Sequence, residues 1–197
     1  MKLLHLDSSI MGEGSASRAI SAAVVEGLRE TDPTLEVIYR DLTAEPIPHM
    51  TLDAFLALEN GEDVQQFLDA DIVVIGAGFY NFSIPSQLKA WVDRIAVKGK
   101  TFTYGENGPV GLAAGKRVIV ALARGNVYGE GSPYASYEHA ETLLRSIFGF
   151  VGADVEVIIA EGLGRGDDAR RTAIDGALVQ ARRMSQSFAA AATQYST

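Results

Sequence analysis

Five short runs of β-forming residues punctuate the chain: residues 1–7 (MKLLHLD), 35–41 (LEVIYRD), 71–78 (DIVVIGAG), 116–123 (KRVIVALA) and 154–160 (DVEVIIA). The third is almost continuously apolar, the mark of a strand buried on both faces. Between the runs, apolar residues recur at helical spacing. Ala19, Ile20, Ala23, Val24, Gly27 and Leu28 do so from about Arg18, with Ser17 as a candidate N-cap and "TDP" at residues 31–33 as a stop. Leu88, Trp91, Val92 and Ile95 share one face of a second helix. Leu143, Leu144, Ile147 and Phe148 do the same within residues 135–150, and residues 167–192 read as an Ala/Arg-rich final helix. Residues 51–68 are weakly helical, interrupted by "NGED", and residues 101–104 read as extended within a turn-rich excursion.

Strands alternating with helices call for a parallel sheet with helices on both faces. Five strands suit the doubly wound order 2-1-3-4-5 in a single domain over residues 1–197. In such sheets ligands bind at the carboxyl ends of the strands, where the order reverses between strands 1 and 3. That brings three loops together: residues 8–17, 78–85 and 124–133.

Composition narrows the function. The 197 residues carry a formal net charge of −8 and a pI near 4.9, which excludes the basic excess a nucleic-acid binder needs. The same sign disfavours an anionic membrane surface, and no apolar run is long enough to cross a bilayer. Cysteine is absent, so disulfides, thiolate metal ligands and thiol nucleophiles are excluded. His5, His49 and His139 lie far apart without ligand spacing, so no metal is expected. With Met1 leading directly into "KLLHLD", the expected location is cytoplasmic.

The first loop holds Gly12 and Gly14 but has Ser at position 17, and it is too long for a dinucleotide-binding turn. Ser8, Ser9, Ser15 and Ser17 before a helix suit a terminal phosphate, held by hydroxyls, free amides and the helix dipole. Serine capping over a flexible glycine turn accounts for the same residues. Arg18 is the only cation nearby in sequence. The second loop places Phe79, Tyr80, Asn81 and Phe82 between a strand and Pro85, after Gly76 and Gly78, which allow close backbone approach. A planar ligand with a hydrogen-bonding edge would use such faces, although Phe82 and Ile84 could also staple the next helix. In the third loop Gly125 allows close approach, and Arg124 could meet a ligand carbonyl or a surface carboxylate. His5 and His139 read as structural, and Glu161 and Asp167 as solvated charges at a helix start.

Seven segments occur together in order: "DSSI", "SAS", "YNFSIPSQLKAW", "TFTYGENGPVGL", "ARGN", "FGFVG" and "AEG". On these the chain resembles the flavodoxin-like FMN-dependent NADH azoreductase/quinone reductase family over nearly its whole length. The resemblance implies bound FMN, NADH or NADPH as electron donor, and two-electron ping-pong reduction of quinones and azo compounds. It also implies a homodimer with both sites at the interface. It sets the FMN phosphate on Ser9, Ser15, Ser17 and the amide of Ala16. The ring would lie along Phe79, Tyr80, Asn81 and Phe82 and along Ala123, Arg124, Gly125 and Asn126. Phe102 and Tyr104, or Phe148, would wall the substrate space, and no catalytic side chain is required. The chain departs from the family pattern at Gly78-Phe79 (usually Pro-Met), at Ala123 and Asn126 (usually Ser and Gly), and in a shorter segment between strands 2 and 3. A flavodoxin-type electron carrier and a nitro- or chromate-type flavin reductase are the alternatives.

Overall fold

The computed structural model describes the backbone of residues 1–194 and the side chains of residues 1–187. Along the chain, β1 (Lys2–Asp7) leads to α1 (Ala16–Thr31), β2 (Glu36–Asp41), α2 (Leu52–Leu56), α3 (Glu62–Asp69) and β3 (Ile72–Gly78). Next come α4 (Ser86–Ile95), β4 (Phe102–Gly105), β5 (Gly108–Gly111), β6 (Arg117–Ala123), α5 (Ala140–Phe150), β7 (Asp154–Ala160) and α6 (Asp167–Gln194). The main sheet is parallel, in the order β2-β1-β3-β6-β7. Counting only its own five strands, this is the expected 2-1-3-4-5. The excursion before β6 is not a single extended stretch: β4 and β5 pair antiparallel as a separate hairpin.

Alternation along the strands sorts their side chains into two clusters, because successive residues of a strand point to opposite faces. Leu4, Leu6, Val73, Ile75, Val118 and Val120 join Phe67 of α3, Leu88 and Trp91 of α4, and Phe148 of α5. Leu3, Ile72, Val74, Ile119 and Ala121 join Ile20 and Val24 of α1 and Ala177 and Ala181 of α6. Each large side chain fully buried this way contributes roughly 1.5–3 kcal/mol.

Three local expectations need correction. Helix α1 starts at Ala16, and its N-cap is Ser15, whose hydroxyl accepts from the Arg18 amide at 3.3 Å; Ser17 lies inside the first turn. The segment 135–150 is not one helix, but a 3-10 turn at Ala135–Tyr137 followed by α5. The break falls at Glu138, whose carboxylate accepts from the amides of Ala140 (2.9 Å), Glu141 (2.8 Å) and Thr142 (3.1 Å) and so caps α5. Phe148 does not wall an open space. It is 0% exposed, with ring centroids 6.3 Å from Phe67 and 6.4 Å from Trp91.

Phe148→Ala is therefore expected to cost about 3–5 kcal/mol in urea unfolding, as a core truncation does. A loss within about 0.5 kcal/mol would return Phe148 to the surface.

Candidate functional site

The loop after β1 is tied to the end of β3. The Ser8 amide and hydroxyl both donate to the Gly76 carbonyl, at 3.0 and 2.8 Å. The chain then makes a 3-10 turn at Gly12–Gly14 and enters α1 through Ser15. The Ser15 and Ser17 hydroxyls lie 3.1 Å apart. The amides of Ala16 and Ser17 fall in the first turn, where no intrahelical carbonyl is available to them. Arg18, the nearby cation, is committed elsewhere. Its Nη1 and Nη2 bind Asp41 at 2.7 and 2.8 Å, and Nε and Nη2 donate to the Ser9 carbonyl at 3.2 and 2.9 Å. The Arg18 hydrogen bonds, outweighing burial and helped by the Thr43 hydroxyl and amide, hold the Asp41 carboxyl well below its usual range.

The loop after β3 closes on itself. The Tyr80 amide donates to the Ser83 carbonyl at 3.0 Å and the Ser83 amide returns to Tyr80 at 3.1 Å. Between them Asn81 and Phe82 both have left-handed backbone, φ 47° and 73°, which makes a type I′ turn. Asparagine tolerates that region; for phenylalanine it stores roughly 1–2 kcal/mol of strain. The turn leaves the Phe82 ring 45% exposed and stacked on Tyr137 at 5.1 Å, whereas Ile84 packs into the core. The two glycines of β3 serve different ends. A Cβ on Gly76 would sit 2.2 Å from Asp7 Oδ1, so that glycine makes room for protein packing rather than for a ligand. A Cβ on Gly78 would sit 2.8 Å from the Tyr80 ring. Without it the ring folds back over the strand end, and its hydroxyl reaches Ser9 Oγ at 3.0 Å.

The loop after β6 carries Arg124, whose side chain turns inward rather than toward a ligand. It is 1% exposed, 2.8 Å from Glu141, 3.2 Å from Glu138 and 3.6 Å from Glu161, with its guanidinium 5.9 Å from the centre of the Phe79 ring. Burial alone would raise the Glu138 pKa. The amides of Glu141 and Thr142, the Thr142 hydroxyl and the charge of Arg124 outweigh it, and the carboxyl ends below its usual range. Glu161 is not a solvated helix-start charge, since it also accepts from the Tyr128 amide at 3.1 Å. Residues 162–164 form a strap along this loop: the amides of Gly162, Leu163 and Gly164 donate to the carbonyls of Asn126, Arg124 and Gly125. In a planar trans peptide the next N–H points opposite to the carbonyl. The amides of Gly125 and Asn126 are thereby turned away from the strap.

The three loops line one cleft of about 280 Å³. Ser15, Ala16, Phe79, Tyr80, Ala123 and Gly125 reach it. Asn81 lines an adjoining cleft of about 590 Å³ that shares Phe79 and Tyr80. Ser9 and Ser17 stand behind as hydrogen-bond partners of Tyr80 and Ser15. Phe82 and the side chains of Arg124 and Asn126 have other contacts; Asn126 Oδ1 accepts from Arg165 Nε at 3.1 Å. Phe102 and Tyr104 meet edge-on at 5.7 Å on β4, and Phe102 also touches Phe150 at 4.7 Å. Sequence reasoning missed Leu163, Gly164 and Arg170 in the cleft. The available signal was topological, since the loop after β7 opens at the same sheet edge. A wider groove of about 630 Å³ runs past Asp7 and Tyr39, but the carboxylate of Asp7 is already bonded by Ser21 and Tyr39.

Removing the buried cation should leave its carboxylates uncompensated. Arg124→Met is expected to lose about 3 kcal/mol or more at neutral pH. Because the Glu138 carboxyl titrates lower in the folded chain, its contribution is present above the unfolded pKa near 4.3. It fades as pH falls through the folded value, so the gap between variant and wild type should narrow below about pH 4. Chemical denaturation across that range checks it; a gap independent of pH contradicts the account.

The geometry is shared with known proteins. The family model for the flavodoxin-like fold matches residues 1–184. FMN-dependent NADH:quinone oxidoreductase 2 of Bradyrhizobium diazoefficiens is 53% identical over 193 residues, covering 90% of this chain and 96% of its own. The FMN-dependent NADH:quinone oxidoreductase of Methylorubrum extorquens is 52% identical over 194 residues, with the same coverage, 90% and 96%. Among solved structures, an azoreductase from Bacillus anthracis superposes with a TM-score of 0.85 at 29% identity, covering 94% of this chain and 98% of that one. An FMN-dependent NADH-azoreductase from the same organism, in complex with FMN, gives 0.84 at 26% identity, covering 95% and 99%. Sheet order, loop placement and this degree of identity converge: the chain belongs to the flavodoxin-like FMN-dependent NADH azoreductase/quinone reductase family.

Proposed function

We propose that this protein is an FMN-dependent NADH:quinone oxidoreductase that also reduces azo compounds, taking NADH or NADPH as donor. The observation that carries the reading is the cleft itself, with a hydroxyl-rich helix N-terminus at one end and aromatic faces beside free amides at the other. The donor set fits the cofactor. Ser15, supported by Ser17 and Ser9, and the amides of Ala16 and Ser17 would hold the phosphate. Phe79 and Tyr80 offer apolar faces to a planar ring, with Asn81 and Phe82 at the rim. The amides of Gly125 and Asn126, beside Ala123, are placed to donate to negative charge at the ring's polar edge, and such preorganised donors need no reorganisation during reaction. When bound, FMN supplies the two-electron chemistry. Arg124 serves from below, through its backbone and by carrying Phe79, rather than as a ligand.

The reading extends to one flavodoxin-like domain over residues 1–197 with helices on both sheet faces, supported by the two core clusters. It also includes a homodimer, supported by exposed apolar side chains such as Ile10, Met11, Phe82, Tyr104, Tyr137 and Phe150. Exposed large apolar side chains of this kind are what a subunit interface would cover. Phe102 and Tyr104 would then border the substrate space. A cytoplasmic location is supported by the absence of cysteine. No helix among the described residues is long and apolar enough to cross a membrane.

NADH-driven reduction of a soluble quinone by the FMN-loaded protein tests the reading. Steady turnover with ping-pong kinetics is expected. Negligible turnover without an added reductase would instead identify an electron carrier. Sedimentation of an active, flavin-replete monomer would remove the dimer.

A further inference from the structure

A phosphate monoester carries a charge of roughly −1.5 to −2 at neutral pH. The donors at the start of α1 are neutral, and the chain's net charge of −8 offers no attractive field. The cation nearest in sequence, Arg18, is held by Asp41, Thr43 and the Ser9 carbonyl. One other cation reaches the cleft. Arg170, in the first turn of α6, lines it beside Ser15 and Ala16, and its Nη2 donates to the Gly14 carbonyl at 2.7 Å. Its backbone is fixed, its amide donating to the Gly166 carbonyl at 2.9 Å, two residues beyond the strap that is stitched to the third loop. Among the described residues it forms no ion pair with a carboxylate; neighbouring Asp168 is taken by Arg171.

We propose that Arg170 is the cationic ligand of the cofactor's phosphate and the residue that makes this site select a phosphorylated flavin. The inference rests on the FMN reading above. A guanidinium anchored through one Nη keeps further N–H groups for an anion, and charge-assisted bonds of this kind are about twice as strong as neutral ones. The position explains why the first loop needs no lysine or arginine of its own: the counter-charge arrives from 156 residues away, on a different helix. It also links the two ends of the cleft. The segment that binds the third loop through residues 162–164 continues directly into the helix that carries Arg170.

The competing role is mechanical, with Arg170 merely pinning Gly14 and so the loop. Arg170→Gln separates the two, because it keeps an N–H donor for the Gly14 carbonyl but loses the charge. Fluorescence titration of cofactor-stripped protein with FMN and with riboflavin, which lacks the phosphate, provides the readout. Arg170→Met is expected to weaken FMN about tenfold, while riboflavin binding stays within about twofold. Arg170→Gln should fall with it and Arg170→Lys should retain most of the FMN affinity. The loss of FMN affinity with rising salt should be shallower in both neutral variants, because one fewer charge is screened. Circular dichroism confirms folding, and the Gln and Lys variants carry the test should the Met variant not fold. Wild-type FMN affinity in Arg170→Met or Arg170→Gln, or equal weakening of both flavins, would overturn the proposal. If the wild type binds neither flavin, the FMN reading falls, and this proposal with it; riboflavin binding as tight as FMN binding overturns this proposal alone.

Discussion

The Asp7 carboxylate, 3% exposed, accepts from the Ser21 hydroxyl at 2.9 Å and the Tyr39 hydroxyl at 3.1 Å, and it fits because position 76 has no Cβ. A buried charge costs several kcal/mol unless its surroundings compensate it. The groups that do so come from α1 and β2, with β3 making the space, so the charge draws the elements around the sheet's reversal point into one arrangement. Burial, followed by the field and hydrogen bond of Asp7, raises the Tyr39 hydroxyl above its ordinary range and keeps it a donor. His5 Nε2 lies 3.0 Å from the Ser21 hydroxyl, a structural place for a buried histidine. Arg18, 4.0 Å from Asp7, faces the same carboxylate while gripping Asp41 and the Ser9 carbonyl. The backbone of the first loop hangs on that chain of contacts.

The opposite end of the cleft uses the reverse polarity. There a buried cation, Arg124, is ringed by Glu138, Glu141 and Glu161 and underlies Phe79. Glu138 also caps α5, so the ion cluster, the helix start and the ring-bearing loop are mechanically one unit. Both clusters spend their charges on holding backbone. What these two clusters present to the cleft is neutral, namely hydroxyls, amides and aromatic faces; the cation that lines it, Arg170, comes from α6.

The sheet was legible because its signals are local. Apolar runs bounded by turn residues define the five strands, and their alternation with helices dictates the order. The loops followed from that order, as did most residues now found around the cleft. Features set by tertiary approach were not legible. Arg124 meets its carboxylates across 14 and more residues, and nothing near it in sequence says whether it turns in or out. Arg170 reaches Gly14 across 156 residues. Ser15 rather than Ser17 caps α1 because backbone geometry, not composition, selects among closely spaced serines. Phe148 lies on a helix face whose burial depends on Phe67 and Trp91, which come from other elements. Gly76 signalled close approach correctly, yet what approaches is Asp7.

A flavin site built from these three loops has a direct spectroscopic signature. The visible absorption spectrum of the purified protein, before and after incubation with FMN and removal of the excess, tests it most directly. The protein is expected to retain a yellow colour, with flavin bands shifted from those of free FMN and one FMN per chain. A protein that remains colourless after that treatment would contradict it.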